Sequence, residues 1–303
     1  MENSTIKKHV LGRKGRQRLN FYLFLIPAII GFSLLTAYPF ITSFITSFTN
    51  RLLYYPGDAK FIGFKNYTYL LKHYPKFWNG FKNSLIFAIF SVILTNVLSI
   101  VIANALTKGY KGTKFFRVLF YIPSLLPSVV MVIMFVFIFD PTSGVVNSIL
   151  AKMGMPQEKL PTWFSNSDTA LKTLILISLW GIGGKMVIYI AGFNEIPKSY
   201  YEAAEIDGAS SVVCFFKISL PLVTPSILYN LITAIIAGMQ VFTEAFVGAG
   251  NVDFYVGNIY NLAYTGTYQM GLASAMAWLM FVFVAILVLG NMLLSKLWTH
   301  YED

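Results

Sequence analysis

The stretch Glu202-Ala203-Ala204-Glu205-Ile206-Asp207-Gly208-Ala209, followed after eight residues by Ile218-Ser219-Leu220-Pro221, is a polar island in an otherwise oily chain. Four of the thirteen acidic residues, Glu195, Glu202, Glu205 and Asp207, lie in or beside it. Ser199 stands three residues before Glu202, the spacing of a capping box, and predicts a helix that starts at Ser199 just past the Pro197 break. Ala203 and Ala204 then give that helix a face with almost no bulk. Gly208 permits the positive φ that ends a helix abruptly, and Ser210 or Ser211 can cap the next helix as it runs towards Ile218. The predicted product is a helix, a sharp turn and a second helix that carries Cys214. An ordinary connector is the plainer reading of a capping box alone. The whole pattern, acidic and small-faced between two apolar stretches, predicts a surface that docks on another protein rather than an active site.

Outside this island the chain is 56% hydrophobic, 17% aromatic and only 12% charged, with a mean hydropathy of +0.64. That balance belongs to a membrane protein and not to a soluble domain. Crossing about 30 Å of hydrocarbon takes roughly 20 apolar residues in a helix. Six stretches qualify: residues 21–46, 84–106, 118–139, 171–193, 225–247 and 272–297. The expected fold is therefore all-α, with residues 1–20 as a basic segment, residues 21–303 as one six-span domain, and the polar loop of about 194–221 between spans 4 and 5. Pro27 and Pro39 in the first span and Pro123 and Pro127 in the third predict kinks. Ser91, Thr95 and Ser99 place hydroxyls on one face of the second, where helix packing is the plain explanation.

Basic residues orient the spans, because Lys and Arg in short flanks stay cytoplasmic. Lys7, Lys8, Arg13, Lys14, Arg16 and Arg18 place the N-terminus inside, and Lys108, Lys111, Lys114 and Arg117 place the link after the second span there too. The longer loop 50–83 also carries six basic residues, but alternation puts it outside. Loops 140–170 and 248–271 follow it, while the acidic loop and the C-terminus fall inside. The net charge of +10 thus serves topology, and nucleic-acid binding is not expected. The first apolar stretch exceeds a signal-peptide core and is expected to remain as a helix. One cysteine, and His9, His73 and His300 far apart, leave no disulfide framework or metal cluster.

The run EAAEIDGASSVVCFFKISLP resembles the EAA loop of permease subunits of binding-protein-dependent ABC importers, closest to their carbohydrate branch. GFKNY at 63–67, FWNGFKNS at 77–84, YIPSLLPSVV at 121–130, FDPTSGVVNSIL at 139–150 and QMGLASAM at 269–276 are similar to segments of that family. The chain departs from it at Val212 and Val213, where Trp and Gln are common, and at Gly248-Ala249-Gly250, where a longer Gly-Gly-Pro turn is usual. The resemblance implies a non-enzymatic membrane subunit that forms the path for a sugar, oligosaccharide or polyol derivative. It implies as partners a second permease, two ATPase subunits that hold the ATP and Mg, an extracytoplasmic solute-binding protein, and the lipid of a bacterial or archaeal cytoplasmic membrane. Glu202, Ala203, Ala204, Asp207, Gly208, Leu220 and Pro221 would form the contact with the ATPase. Independently, no G-x-x-x-x-G-K-[S/T] phosphate loop occurs; Gly183-Gly184-Lys185 lies in a span and lacks the first glycine.

Two charges stand out away from the ends of the predicted spans' apolar runs, Lys185 and Glu244, and an ionisable group at such depth is a candidate for function. Counting about 1.5 Å per residue places Lys185 about 12 Å and Glu244 about 28 Å above the cytoplasmic ends, too far apart to pair. Gln240 and Glu244, four residues apart on the fifth span, share a face, and Phe242 lies round from both. The candidate substrate path is accordingly Gln240, Phe242, Glu244 and Lys185. A water-reaching interfacial Glu244 and a partner-facing Lys185 are the structural alternatives. The rival functions are an ion-coupled secondary carrier, which would need paired carboxylates or an inverted repeat, an importer subunit for a non-sugar solute, and a membrane sensor or scaffold.

Overall fold

The structure, a computed structural model, describes residues 13–248, 250 and 252–299. Lys7, Lys8, His9, Ala249 of the predicted outer turn, and His300 lie outside the described residues. No β-strand occurs among the described residues; Thr49 and Phe61 form one isolated bridge.

Helix α1 (Arg13–Phe32) passes through a π turn (Ser33–Ala37) into α2 (Tyr38–Ser47). Pro39 follows that turn; having no N–H for the carbonyl four residues back, it leaves a ladder that widens by one residue. The span predicted to kink at Pro27 and Pro39 still runs as one apolar helix, Asn20–Ser47. After α3 (Lys65–His73), α4 (Pro75–Thr107) begins at Pro75 rather than at residue 84, with the proline in the first turn where its missing donor costs nothing.

The third span is not the continuous helix expected over 118–139. It consists of α5 (Thr113–Tyr121), a 3-10 turn (Ile122–Leu125) and α6 (Ser128–Ile138), and its two arms meet at 98°. Pro123 and Pro127 therefore do more than kink it: Pro127 has ψ 136°, extended backbone that no helix can continue through. Beyond α6 the Asp140 carboxylate accepts the backbone N–H of Ser143 and Thr142 and both of their hydroxyls. Those bonds hold its pKa well below the usual carboxylate range, led by the Ser143 backbone N–H.

Helix α7 (Val145–Lys152) packs in this loop, and α8 (Ser167–Ser178) starts at Asn166, whose side chain accepts the Asp168 N–H. A 3-10 turn (Leu179–Gly181) then bends the fourth span by 46° into α9 (Gly183–Glu195). Gly183 is obligatory at the bend, because a Cβ there would run into the Phe120 carbonyl oxygen and lie 2.8 Å from the Tyr121 Cα. Next come α10 (Lys198–Ile206), α11 (Ser211–Cys214), a π turn (Phe215–Ser219), α12 (Leu220–Leu222) and α13 (Thr224–Met239), the last after a 67° bend. The fifth span stops at Met239 instead of reaching 247. The chain continues as the short helices α14 (Thr243–Gly248) and α15 (Tyr255–Tyr260) before α16 (Met270–Ser295) crosses. Among the described residues three helices are thus long and apolar enough to cross a membrane alone, and the number rises to as many as six if each of three bent pairs is one span.

Helix α4 is the axis of the bundle, with α9 and α13 against it. Ser91, Thr95 and Ser99 are buried there, and the Ser99 and Thr95 hydroxyls donate to the Thr95 and Ser91 carbonyls at 2.6 Å each. Such internal bonding lets polar side chains sit between helices without an orphaned hydroxyl. The core forms three clusters, one of which, around Ala103, Tyr189 and Val223, lies beside the polar loop. Connecting segments meet the rest of the chain at both ends of α4. At one, Lys108 Nζ donates to Ser211 Oγ at 2.6 Å. At the other, Lys76 pairs with Asp253 at 3.5 Å and Asn83 Nδ2 donates to the Asp253 carbonyl.

Candidate functional site

The polar loop forms the helix, turn and helix that its residues predict, with one correction at its start. Helix α10 begins at Lys198 with Pro197 at the cap position and no side-chain cap bond, so Ser199 lies inside the first turn and its capping box is not used. Proline offers no side-chain acceptor, so the first-turn N–H groups of α10 are left without a side-chain cap. The other end follows the chemistry expected. Gly208 has φ +71°, the Ala209 N–H bonds to the Ala204 carbonyl at 2.9 Å, and the Gly208 N–H bonds to Glu205 at 3.0 Å. That pair of bonds is a Schellman motif, which needs a left-handed residue at this position. Ser210 Oγ then accepts the Val213 N–H and starts α11. The π turn ahead of Pro221 repeats the arrangement at Pro39, and Tyr201 Oη lies 2.9 Å from Ser219 Oγ, tying α10 to it.

Glu202, Ala203, Asp207 and Gly208 are exposed, and Ala204, Leu220 and Pro221 are half-buried. The side chain most prominent at the tip was not singled out from sequence: Ile206 is 88% exposed, flanked by Glu205 and Asp207. An isolated isoleucine at the end of an acidic helix is the signal that could have found it. Cys214 is half-buried and lines a cavity of about 530 Å3 behind the loop.

A second site lies within the bundle. A partly open cavity of about 400 Å3 is lined by residues of α4, α6, α8, α9, α13 and α14. Lys185 from α9 and Glu244 from α14 both line it, with Ser91, Thr95, Ser178 and Thr233 among the walls. Lys185 Nζ donates to Thr95 Oγ1 at 2.6 Å, so the hydroxyl stripe of α4 is more than packing. The two charges share a cavity without pairing: among the described residues the ion pair is Lys76 with Asp253. The depth count for Glu244 assumed one continuous helix over residues 225–247; α13 in fact stops at Met239, and α14 carries Glu244 separately.

The same break overturns the shared helix face of Gln240 and Glu244. Gln240 is the C-cap of α13, exposed, and is not in the cavity wall. Phe242 is not in it either, but stacks on Phe246 and lies 5.3 Å from the Tyr260 ring. Ser178 and Thr233 were missed; a hydroxyl within each of two neighbouring spans was the available signal.

Residues 95–301 match the family model for the binding-protein-dependent transport system inner membrane component. The chain belongs to that family. This inner membrane component is 38% identical over 296 residues to the probable ABC transporter permease protein YesP of Bacillus subtilis, covering 95% of this chain and 94% of that one. It is 32% identical to the arabinooligosaccharides transport system permease protein AraP of the same organism, over 90% and 88% of the two chains. A chain of a bacterial alginate ABC transporter, crystallised with an alginate pentasaccharide-bound periplasmic protein, superposes with a TM-score of 0.82 at 22% identity. It covers 97% of this component and 99% of itself. At that identity the likeness concerns the fold alone.

Proposed function

We propose that this permease is one membrane subunit of an ATP-driven importer and forms, with a second permease, the path for a carbohydrate handed over by an extracytoplasmic solute-binding protein. The exposed acidic helix α10 with Ile206 at its tip carries the reading, since a surface so small-faced and so firmly ended by its Gly208 turn suits insertion into a partner's cleft. Two ATPase subunits would supply the work and hold the ATP and Mg; this chain contributes no catalytic residue. Basic flanks favour a cytoplasmic position for the loop and both termini. The names of relatives such as AraP favour an oligosaccharide as cargo. Closure of the ATPases would push α10, and Tyr201 with Ser219 would pass the motion to α13, a rigid-body route to alternating access. Lys185 and Glu244 would face the path, and Gln240 and Phe242 would stand outside its wall.

The test is to purify the tagged chain from native membranes in mild detergent and to measure sugar uptake in cells that lack it. An ATPase and a second permease are expected to co-elute, and uptake is expected to require ATP. A chain that elutes alone and supports uptake abolished by an ionophore would overturn the importer reading in favour of an ion-coupled carrier. ATP-driven uptake of a non-sugar solute would overturn the carbohydrate assignment.

A further inference from the structure

An ammonium group carried into a bundle of spanning helices loses the water that stabilised it, and hydroxyls restore only part of that stabilisation. Lys185 is such a group. Lys185 lines the cavity, and its Nζ has one hydrogen-bond partner among the described residues, Thr95 Oγ1 at 2.6 Å, leaving two of its three donors uncommitted. Glu244 lines the same cavity but forms no ion pair with it. Were Lys185 only a structural cation, a paired carboxylate would be the expected companion; were it only a hydroxyl donor, a serine or asparagine would serve without the cost of a charge. A carboxylate brought in by the cargo completes the pair by the strong charge-assisted bonds an ammonium forms. Opposite charges on different walls also orient the cargo, its anionic end at Lys185 and its hydroxyls towards Glu244.

We infer that the cargo is an acidic carbohydrate, a uronate-containing oligosaccharide whose carboxylate is received by Lys185. This rests on the carbohydrate importer reading and narrows it. Cells carrying the whole transporter are given radiolabelled uronate-containing di- and trisaccharides, and the same set with each carboxylate reduced to a primary alcohol. The wild type is expected to take up the acidic set at least tenfold better. Lys185→Met and Lys185→Gln, compared at equal membrane abundance, are expected to lose at least tenfold of that uptake, while Lys185→Arg keeps it within about threefold. Equal or better uptake of the reduced set by the wild type overturns the acidic cargo and leaves the carbohydrate importer standing. A preference for the acidic set that survives in both neutral variants overturns the role of Lys185 and moves the discrimination to the solute-binding protein. Uptake of neither set likewise overturns the uronate cargo, and the carbohydrate reading then stands or falls on the uptake test given for it above.

Discussion

Gly208 shows how one residue sets the form of a surface. Its φ of +71° lies where a Cβ is strained, and nothing stands within 4 Å of the place a Cβ would occupy. Substitution therefore acts through the backbone and not through a clash. Gly208→Val is expected to cost about 1–3 kcal/mol in the turn, to leave the subunit inserted in the membrane, and to lower uptake and substrate-stimulated ATP hydrolysis together. Gly208→Asn, which tolerates the left-handed region, should retain most of both. Normal transport by the valine variant would show that the turn is not part of the coupling surface. The residue was legible because its requirement is local: acidic helix, glycine and serine cap follow each other within ten positions. Ile206 was not, since exposure of one apolar side chain depends on what the rest of the molecule leaves uncovered.

At the scale of elements, the informative failures lie where spans break. Pro123 and Pro127 announced a bend, yet a 98° turn arises because the backbone at Pro127 becomes extended. The break ahead of Gly183 had no proline to signal it. There the fourth span approaches the third so closely that a methyl group would meet the Phe120 carbonyl. Gly183→Ala is accordingly expected to destabilise by about 1–3 kcal/mol, the usual range for overpacking, and to lower the thermal unfolding temperature of the purified complex. Gly184→Ala is the matched control, as no atom lies within 4 Å of its added methyl, and it should be neutral or stabilising. If the two variants unfold alike, the contact between the third and fourth spans does not hold the bend.

For the whole molecule, the proposed orientation has a built-in probe. Cys214 is the sole cysteine in the chain. It is half-buried in α11, at the end where Lys108 meets Ser211. In intact cells it should react with a membrane-permeant maleimide and not with an impermeant one. Labelling by the impermeant reagent from outside would invert the topology. Labelling by neither, with reactivity regained once the ATPase is stripped away, would place Cys214 under the docked partner.

What the sequence determined by itself is whatever depends on neighbours along the chain. Apolar length sets which segments cross, basic flanks suggest their direction, and Pro197, Gly208 and Ser210 punctuate a helix-turn-helix without help from elsewhere. Tertiary structure alone decided where α13 stops, which moved Gln240 and Phe242 off the cavity while α14 brought Glu244 to it. It also joined Lys185 to Thr95, ninety positions away. A helical period extrapolates a face only as long as the helix lasts. Whether it lasts through a membrane is settled by the helices packed against it, since they, and not water, must satisfy the backbone at a break.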